Sequence, residues 1–276
     1  MAALTGAALV AFAANSLLTR GALAGGRLDP ASFLALRIGA GAGMLALLAR
    51  RHTAAPHDPA NDWRAAAALI GYAVAFTFAY ARVGAGLGAL VLFGAVQSTM
   101  IAAGLRAGER PGRLEVAGLT VALSGLVILT LPGASRPSLV GVALMAIAGA
   151  CWGLYSLRGR RSLDPLVGTA HNFLRALPVA LLVLVWQWPH RHITPTGVLL
   201  AVTSGAITSG LGYAIWYTVL PRLTAWRAAL VQLLTPVLTA AAAVVMLGEA
   251  MTWRLLFSGA LIITGVVLSI GAKRRG

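Results

Sequence analysis

Apolar positions along the chain gather into ten runs, and the polar positions fall between them. The runs cover residues 3–19, 31–49, 65–82, 84–104, 114–131, 137–157, 168–187, 196–219, 224–246 and 253–271, each bounded by Arg, Pro, Gly or Asp. A helix needs about 20 apolar residues to cross the hydrocarbon core. The pattern therefore predicts an all-α membrane protein of ten transmembrane helices, with no length left for a soluble domain. The narrowest break, Arg82-Val83-Gly84-Ala85-Gly86, predicts a tight hairpin between the third and fourth helices. Ala22-Leu23-Ala24 has the small residues of a signal-peptide cleavage site. A signal peptide carries its basic residues before the apolar run, and here the first charge, Arg20, follows it. The first run is read as a retained helix.

Composition agrees with the pattern: 59% of residues are hydrophobic, 11% are charged, and mean hydropathy is +0.83. Soluble domains carry about 25% charged residues, so a soluble globular enzyme is excluded. The formal net charge of +15 would point to nucleic acid in a soluble protein. Position changes that reading. Taking alternate connections together, one side holds Arg50, Arg51, Arg64, Arg106, Arg110, Arg113, Arg158, Arg160, Arg161, Arg222, Arg227, Lys273, Arg274 and Arg275. The other holds only Arg20, Arg27, Arg82, Arg136, Arg191 and Arg254. The positive-inside bias predicts that the richer side and both termini are cytoplasmic, in the inner membrane. The basic partner is then the anionic headgroup layer, and no nucleic acid is expected. One cysteine, Cys151, excludes an intrachain disulfide and a cysteine-based metal cluster. No metal or cofactor is expected.

The two halves of the chain resemble each other. A shift of 140 residues superimposes Ala89-Leu90-Val91 on Ala229-Leu230-Val231, Thr99 on Thr239, Gly108-Glu109 on Gly248-Glu249, and Gly125 on Gly265. Asp29-Pro30 before Arg37 matches Asp164-Pro165 before Arg175 if a gap is allowed. The expectation is two repeats, 1–132 and 133–276, forming one transmembrane domain. Five spans is an odd number, so the second repeat enters the membrane inverted. Inverted repeats around a midplane site are a transporter arrangement.

Three segments carry a family resemblance. They are Leu234-Thr235-Pro236-Val237-Leu238-Thr239, then Leu247-Gly248-Glu249-Ala250, then Gly259-Ala260-Leu261-Ile262-Ile263-Thr264-Gly265-Val266. Their mid-helix proline, Gly-Glu hairpin and glycine-paired last helix resemble the closing motif of the EamA family of the drug/metabolite transporter superfamily. The first half repeats it as Gly94-Ala95-Val96-Gln97 and Gly108-Glu109-Arg110-Pro111, with Val96 in place of the proline. Cys151-Trp152-Gly153-Leu154-Tyr155-Ser156 is similar to the family's sixth helix. Ser16-Leu17-Leu18-Thr19-Arg20 and Asp29-Pro30-Ala31-Ser32-Phe33 look most like its aromatic and neutral amino-acid exporters. The resemblance implies a basket-like bundle. Helices 1, 3, 4, 6, 8 and 9 would line a central cavity, with helices 5 and 10 peripheral.

Polar groups inside hydrocarbon are expensive and mark the candidates. Arg37 and Arg175 lie inside their spans and cannot shed charge. Each either captures a substrate carboxylate or snorkels and ties helix ends; they are assigned a gating or structural role. His171 joins them as a group that titrates near neutrality, or as an interfacial histidine. Pro236 either frees the Gln232 carbonyl to line a cavity or only bends its helix. Asn15, Ser16, Gln97 and Gln232 are expected to offer donors and acceptors to substrate, the alternative being interhelical hydrogen bonds. Tyr213, Trp216 and Tyr217 share one helical face, as do Phe76 with Tyr80 and Trp152 with Tyr155. These aromatics either wall a cavity suited to bulky neutral substrates or form the interfacial belt. All seven carboxylates fall in loops or at helix ends, which leaves no mid-depth proton relay and predicts facilitated export.

The expected function is a secondary transporter that exports small metabolites, neutral and aromatic amino acids foremost, by alternating access. Export of amines, nucleosides or drugs is the alternative. A membrane-embedded enzyme is disfavoured because no paired acidic or Ser/His set appears. A monomer is compatible with the sequence.

Overall fold

The protein is described here by a computed structural model covering residues 1–23, 25–50, 59–83, 85–130, 138–160, 164–248 and 250–271. Among these residues, ten helices are long and apolar enough to cross a membrane. They are α1 (Ala2–Leu23), α2 (Pro30–Ala49), α3 (Pro59–Tyr80), α4 (Ala85–Arg106) and α5 (Arg113–Thr130) in the first half. The second half holds α6 (Leu139–Gly159), α7 (Pro165–Trp186), α8 (Pro195–Arg222), α9 (Ala225–Met246) and α10 (Trp253–Gly271).

Local chemistry sets several helix ends. Asp29 and Asp164 each precede a proline at the first helical position, where its missing N–H costs nothing. Asp29 accepts from the Ser32 N–H at 2.9 Å, and Asp164 accepts from the Leu166 and Val167 N–H groups at 3.1 Å. This cap starts α7 at Pro165, three residues before the apolar run suggested. Thr194 and Thr224 cap α8 and α9 in the same way. Gly108 after α4 and Gly248 after α9 both turn through positive φ, 85° and 66°. The 140-residue repeat thus reproduces a backbone conformation that favours glycine, as well as a dipeptide.

Two helices are irregular. α8 is α-helical over Pro195–Thr203, π-helical over Ser204–Leu211 and α-helical again over Gly212–Val219. α9 breaks at Leu233 between Ala225–Gln232 and Leu234–Leu247. Pro236 cannot donate back to the Gln232 carbonyl, and the Leu233 N–H turns tightly onto the Leu230 carbonyl at 3.0 Å.

The packing is two-fold. α3 packs on α6 as α8 packs on α1, α4 packs on α6 as α9 packs on α1, and α3 meets α7 as α8 meets α2. α2 with α7, α4 with α9, and α5 with α10 pair across the pseudo-axis. Small residues permit the closest crossing: a Cβ at Gly118 of α5 would strike the Gly265 carbonyl of α10, and one at Gly265 would strike the Gly118 carbonyl. α1 packs within this bundle against α8 and α9. The expected repeat boundary at 132/133 and Gly84 of the hairpin lie outside the described residues.

The lipid-facing surface carries Leu182, Val185, Leu199, Val245 and Val267, all exposed. Trp63, Trp186, Trp188 and Trp253 are exposed near span ends, where an aromatic belt would sit.

Candidate functional site

Six helices converge on a central cavity of about 40 Å³. Its walls are Phe12, Asn15 and Ser16 of α1, Tyr72 and Phe76 of α3, and Leu92, Phe93 and Val96 of α4. Trp152 of α6, Tyr213 of α8, and Gln232 and Thr235 of α9 complete them. Those are the six helices the family resemblance implied. The volume is about that of one water molecule, so this is a nearly closed aromatic plug. Trp152 sits at its hub, with Tyr213 at 4.8 Å, Tyr72 at 5.0 Å and Phe12 at 5.3 Å between ring centroids. Its indole N–H donates to Gln232 Oε1 at 2.6 Å. The Gln232 amide in turn donates to the Ala228 carbonyl at 3.0 Å, so the break in α9 is tied to α6 through one side chain.

Behind the plug lies Arg37, only 1% exposed. Its Nε donates to Ser209 Oγ at 2.9 Å, and its Nη2 donates to Tyr213 Oη at 2.8 Å and to Tyr72 Oη at 3.4 Å. The guanidinium carbon lies 5.5 Å and 5.6 Å from the Tyr72 and Phe76 ring centroids. The wide π-turn of α8 supplies Ser209, and Gly205 within it lets α8 press against the Arg37 backbone, where a Cβ would collide. The same turn sends Ser204 Oγ to Asn15 Oδ1 at 2.7 Å. π-turns are rare and concentrate at functional sites.

The central cavity has different neighbours at its two ends. Toward the end that holds Arg20 and Arg254, here the far end, it shares Ser16, Leu92 and Phe93 with a vestibule of about 380 Å³. Tyr80, Pro236, Thr239 and Ala240 also line that vestibule. The resemblance placed α5 and α10 at the periphery. The vestibule departs from this at its mouth, where α5 ends and α10 begins, by including Leu129, Thr130, Arg254 and Leu255. Toward the end that holds Arg106, Arg158 and Arg222, here the basic end, a crevice of about 440 Å³ shares no lining residue with the central cavity. Beside it, Glu109 accepts from the Ala225 and Trp226 N–H groups at 2.8 Å and 3.0 Å, which seals the N-terminus of α9. Arg160 lies 3.7 Å from the same carboxylate. Deeper on this side, the Tyr155 and Tyr217 rings meet edge to face at 5.1 Å, with both hydroxyls buried.

The structure brings together Asn15, Ser16, Phe76, Trp152, Tyr213 and Gln232 at the central cavity, and Tyr80 and Pro236 at the vestibule. Tyr155, Trp216 and Tyr217 are fully buried on the basic side of the plug and line no described cavity. All three sit inside the bundle, so the belt alternative for α6 and α8 does not describe them. Gln97 donates to the Ala229 carbonyl at 2.7 Å, which is the interhelical alternative. His171 is half-buried in the first turns of α7, and Arg175 lies over the Trp63 ring at 5.1 Å. Arg37 is neither at a helix end nor bonded to backbone carbonyls, so snorkelling does not describe it. Sequence reasoning missed Tyr72, although the spacing Tyr72, Phe76, Tyr80 continues a stripe it had already noted. It also missed Phe12, the Ser204, Thr208 and Ser209 hydroxyls, and the partners of Glu109.

The EamA-like transporter family model matches residues 139–271. An uncharacterized protein of Pseudomonas aeruginosa is 48% identical over 272 residues, covering 98% of this chain and 94% of its own. A probable amino-acid metabolite efflux pump of Salmonella typhimurium is 28% identical, covering 73% of this chain and 76% of its own. The threonine/homoserine exporter RhtA of Escherichia coli is 29% identical over 59% of this chain and 56% of its own. A solved crystal structure superposes over 96% of this chain and 98% of its own with a TM-score of 0.78, at 22% identity, which establishes likeness of fold. The retained glycine turns, the proline-broken α9 and the six-helix cavity agree with these matches: the chain is an integral membrane protein and belongs to the EamA-like transporter family.

Proposed function

We propose that the protein exports small neutral metabolites, amino acids foremost, across the inner membrane by alternating access between its two repeats. The observation that carries this reading is the unequal treatment of two related ends. Under the 140-residue shift, Leu17, Arg20, Ala243 and Val244 of the vestibule correspond to Leu157, Arg160, Ala103 and Gly104 of the basic crevice. Related surfaces that differ in their connection to a central cavity are what a rocking inverted repeat requires. Here the far end communicates with the plug, and the carboxylate of Glu109 holds the basic end shut.

The vestibule volume suits one small metabolite, since small-molecule sites begin at about 300 Å³. The aromatic plug supplies apolar faces for a neutral side chain, and the plug must part for a substrate to pass. The excess of Lys and Arg at the basic end makes that end and both termini cytoplasmic in this reading. The relatives named as exporters support the direction.

Described carboxylates lie only at helix ends, as Asp29, Glu109, Glu115 and Asp164. Transport driven by the solute's own gradient follows. Reconstituted protein should pass labelled neutral amino acids into sealed vesicles without a pH gradient. Absence of flux for every amino acid and related amine would overturn the exporter reading. Flux that collapses without a pH gradient would overturn only the facilitated mode.

A further inference from the structure

We propose that Arg37, acting through the Tyr72 and Tyr213 phenols, makes the central cavity selective for solutes that carry a carboxylate. The proposal rests on the exporter reading and names the group by which the cavity would recognise its cargo.

Arg37 brings more donors than its neighbours use. Arg37 keeps its charge at any physiological pH and brings five N–H donors. Among the described residues it pairs with no carboxylate, and its Nη1 is buried without a partner. Leaving a buried cation uncompensated is costly, more so in hydrocarbon. None of its N–H groups goes to a backbone carbonyl of the described residues. Arg37 gives them to three hydroxyls, Ser209, Tyr72 and Tyr213. A phenol that accepts still holds its own proton, and accepting from a cation strengthens that proton as a donor.

Tyr72 and Tyr213 both line the central cavity. The positive charge behind the wall therefore reaches the cavity lining through these two phenols, whose hydroxyls it polarises. Asn15, which also lines the cavity, accepts from Ser204 at 2.7 Å and Thr208 at 3.2 Å through its oxygen, which leaves its N–H₂ as a donor. Hydroxyls such as that of Thr235 can accept there, but none of the described lining residues carries negative charge; a carboxylate supplies a charged acceptor. The π-turn of α8 is what brings Ser209 and Tyr213 to Arg37, so the site has its own dedicated backbone.

Arg37 is thus a positioning residue, and the test must read chemistry that a structural defect would not mimic. Phenylalanine and threonine, each with its amide and its decarboxylated amine, would be compared as substrates in reconstituted vesicles. The readout is the ratio of carboxylate-bearing to carboxylate-free solute. The wild-type ratio should be about ten- to a hundredfold, the range of a charge-assisted hydrogen bond. Tyr72→Phe and Tyr213→Phe keep the rings and should each lower it several-fold, Arg37→Gln should bring it near one, and Arg37→Lys should restore part of it. Folding of each variant is checked by its melting temperature in detergent. An unchanged ratio in folded tyrosine variants overturns the proposal even if Arg37 variants fail to fold. Equal wild-type flux of acids, amides and amines overturns it while the exporter reading stands. No flux of any of them overturns both.

Discussion

The two ends of this bundle are built from matching residues and behave differently. At the far end, Leu17, Arg20, Ala243 and Val244 face a vestibule whose walls continue into the central cavity. At the basic end, their counterparts Leu157, Arg160, Ala103 and Gly104 face a crevice that stops short of it. The difference is made by few groups. One carboxylate gathers two backbone N–H groups of α9 and neighbours Arg160, and beneath it Tyr155 and Tyr217 close edge to face. The comparison teaches that closure at this end is a local polar event laid over a packed aromatic layer. It also buries the Tyr155 and Tyr217 hydroxyls beside one another, where water entering an opened basic end would solvate them.

The comparison can be broken most directly by filling one end. Ala240→Trp places an indole in the vestibule and should reduce flux to background with expression retained, as counted by labelled uptake per reconstituted protein. Next in size is the latch. Glu109→Ala removes charge-assisted bonds to Ala225 and Trp226, interactions of about 1.5–3 kcal/mol each. Labelling of a cysteine placed at Ser156 by a reagent added at the basic end should rise roughly tenfold or more. No change in labelling would show that Glu109 does not hold this end. A smaller effect is expected at the plug. Trp152→Phe loses the bond to Gln232 but keeps a ring, and interhelical bonds of this kind average about 0.6 kcal/mol. A shift of about threefold in the half-saturating concentration should accompany it. The smallest effect is expected for Tyr217→Phe, which deletes one buried hydroxyl beside Tyr155. Its melting temperature should change little, and a large fall would show that this hydroxyl does more than meet Tyr155.

Much of the fold was legible because membrane helices announce themselves by length and hydropathy, and the Asp-Pro starts of α2 and α7 are local signals. The six lining helices followed from motif resemblance. Other features depend on partners distant in sequence. Glu109 reads as a loop carboxylate until α9, 116 positions on, presents its N–H groups. Arg37 reads as a snorkelling residue until Ser209 and Tyr213 arrive from α8. The π-turn itself was hidden because Ser204–Leu211 has the composition of any small-residue transmembrane turn, and hydropathy does not report the width of a helical turn. Gln97 and Gln232 looked alike from sequence. The packing gives Gln97 a carbonyl of the neighbouring α9, while Gln232 bonds a carbonyl of its own helix and the Trp152 indole at the cavity wall.

The π-turn has a consequence beyond the residues it positions. A molecule of two identical inverted halves would be energetically indifferent to which face of the membrane it opened toward. α3, the counterpart of α8, is α-helical throughout its span, so this symmetry is broken where α8 grips Arg37. The counterpart Arg175 rests instead over Trp63. Any free-energy difference between these two grips becomes a standing preference for one orientation, and about 1.4 kcal/mol suffices for a tenfold imbalance. If the repeats rock as proposed, the irregular turn gives an otherwise reversible transporter a resting posture.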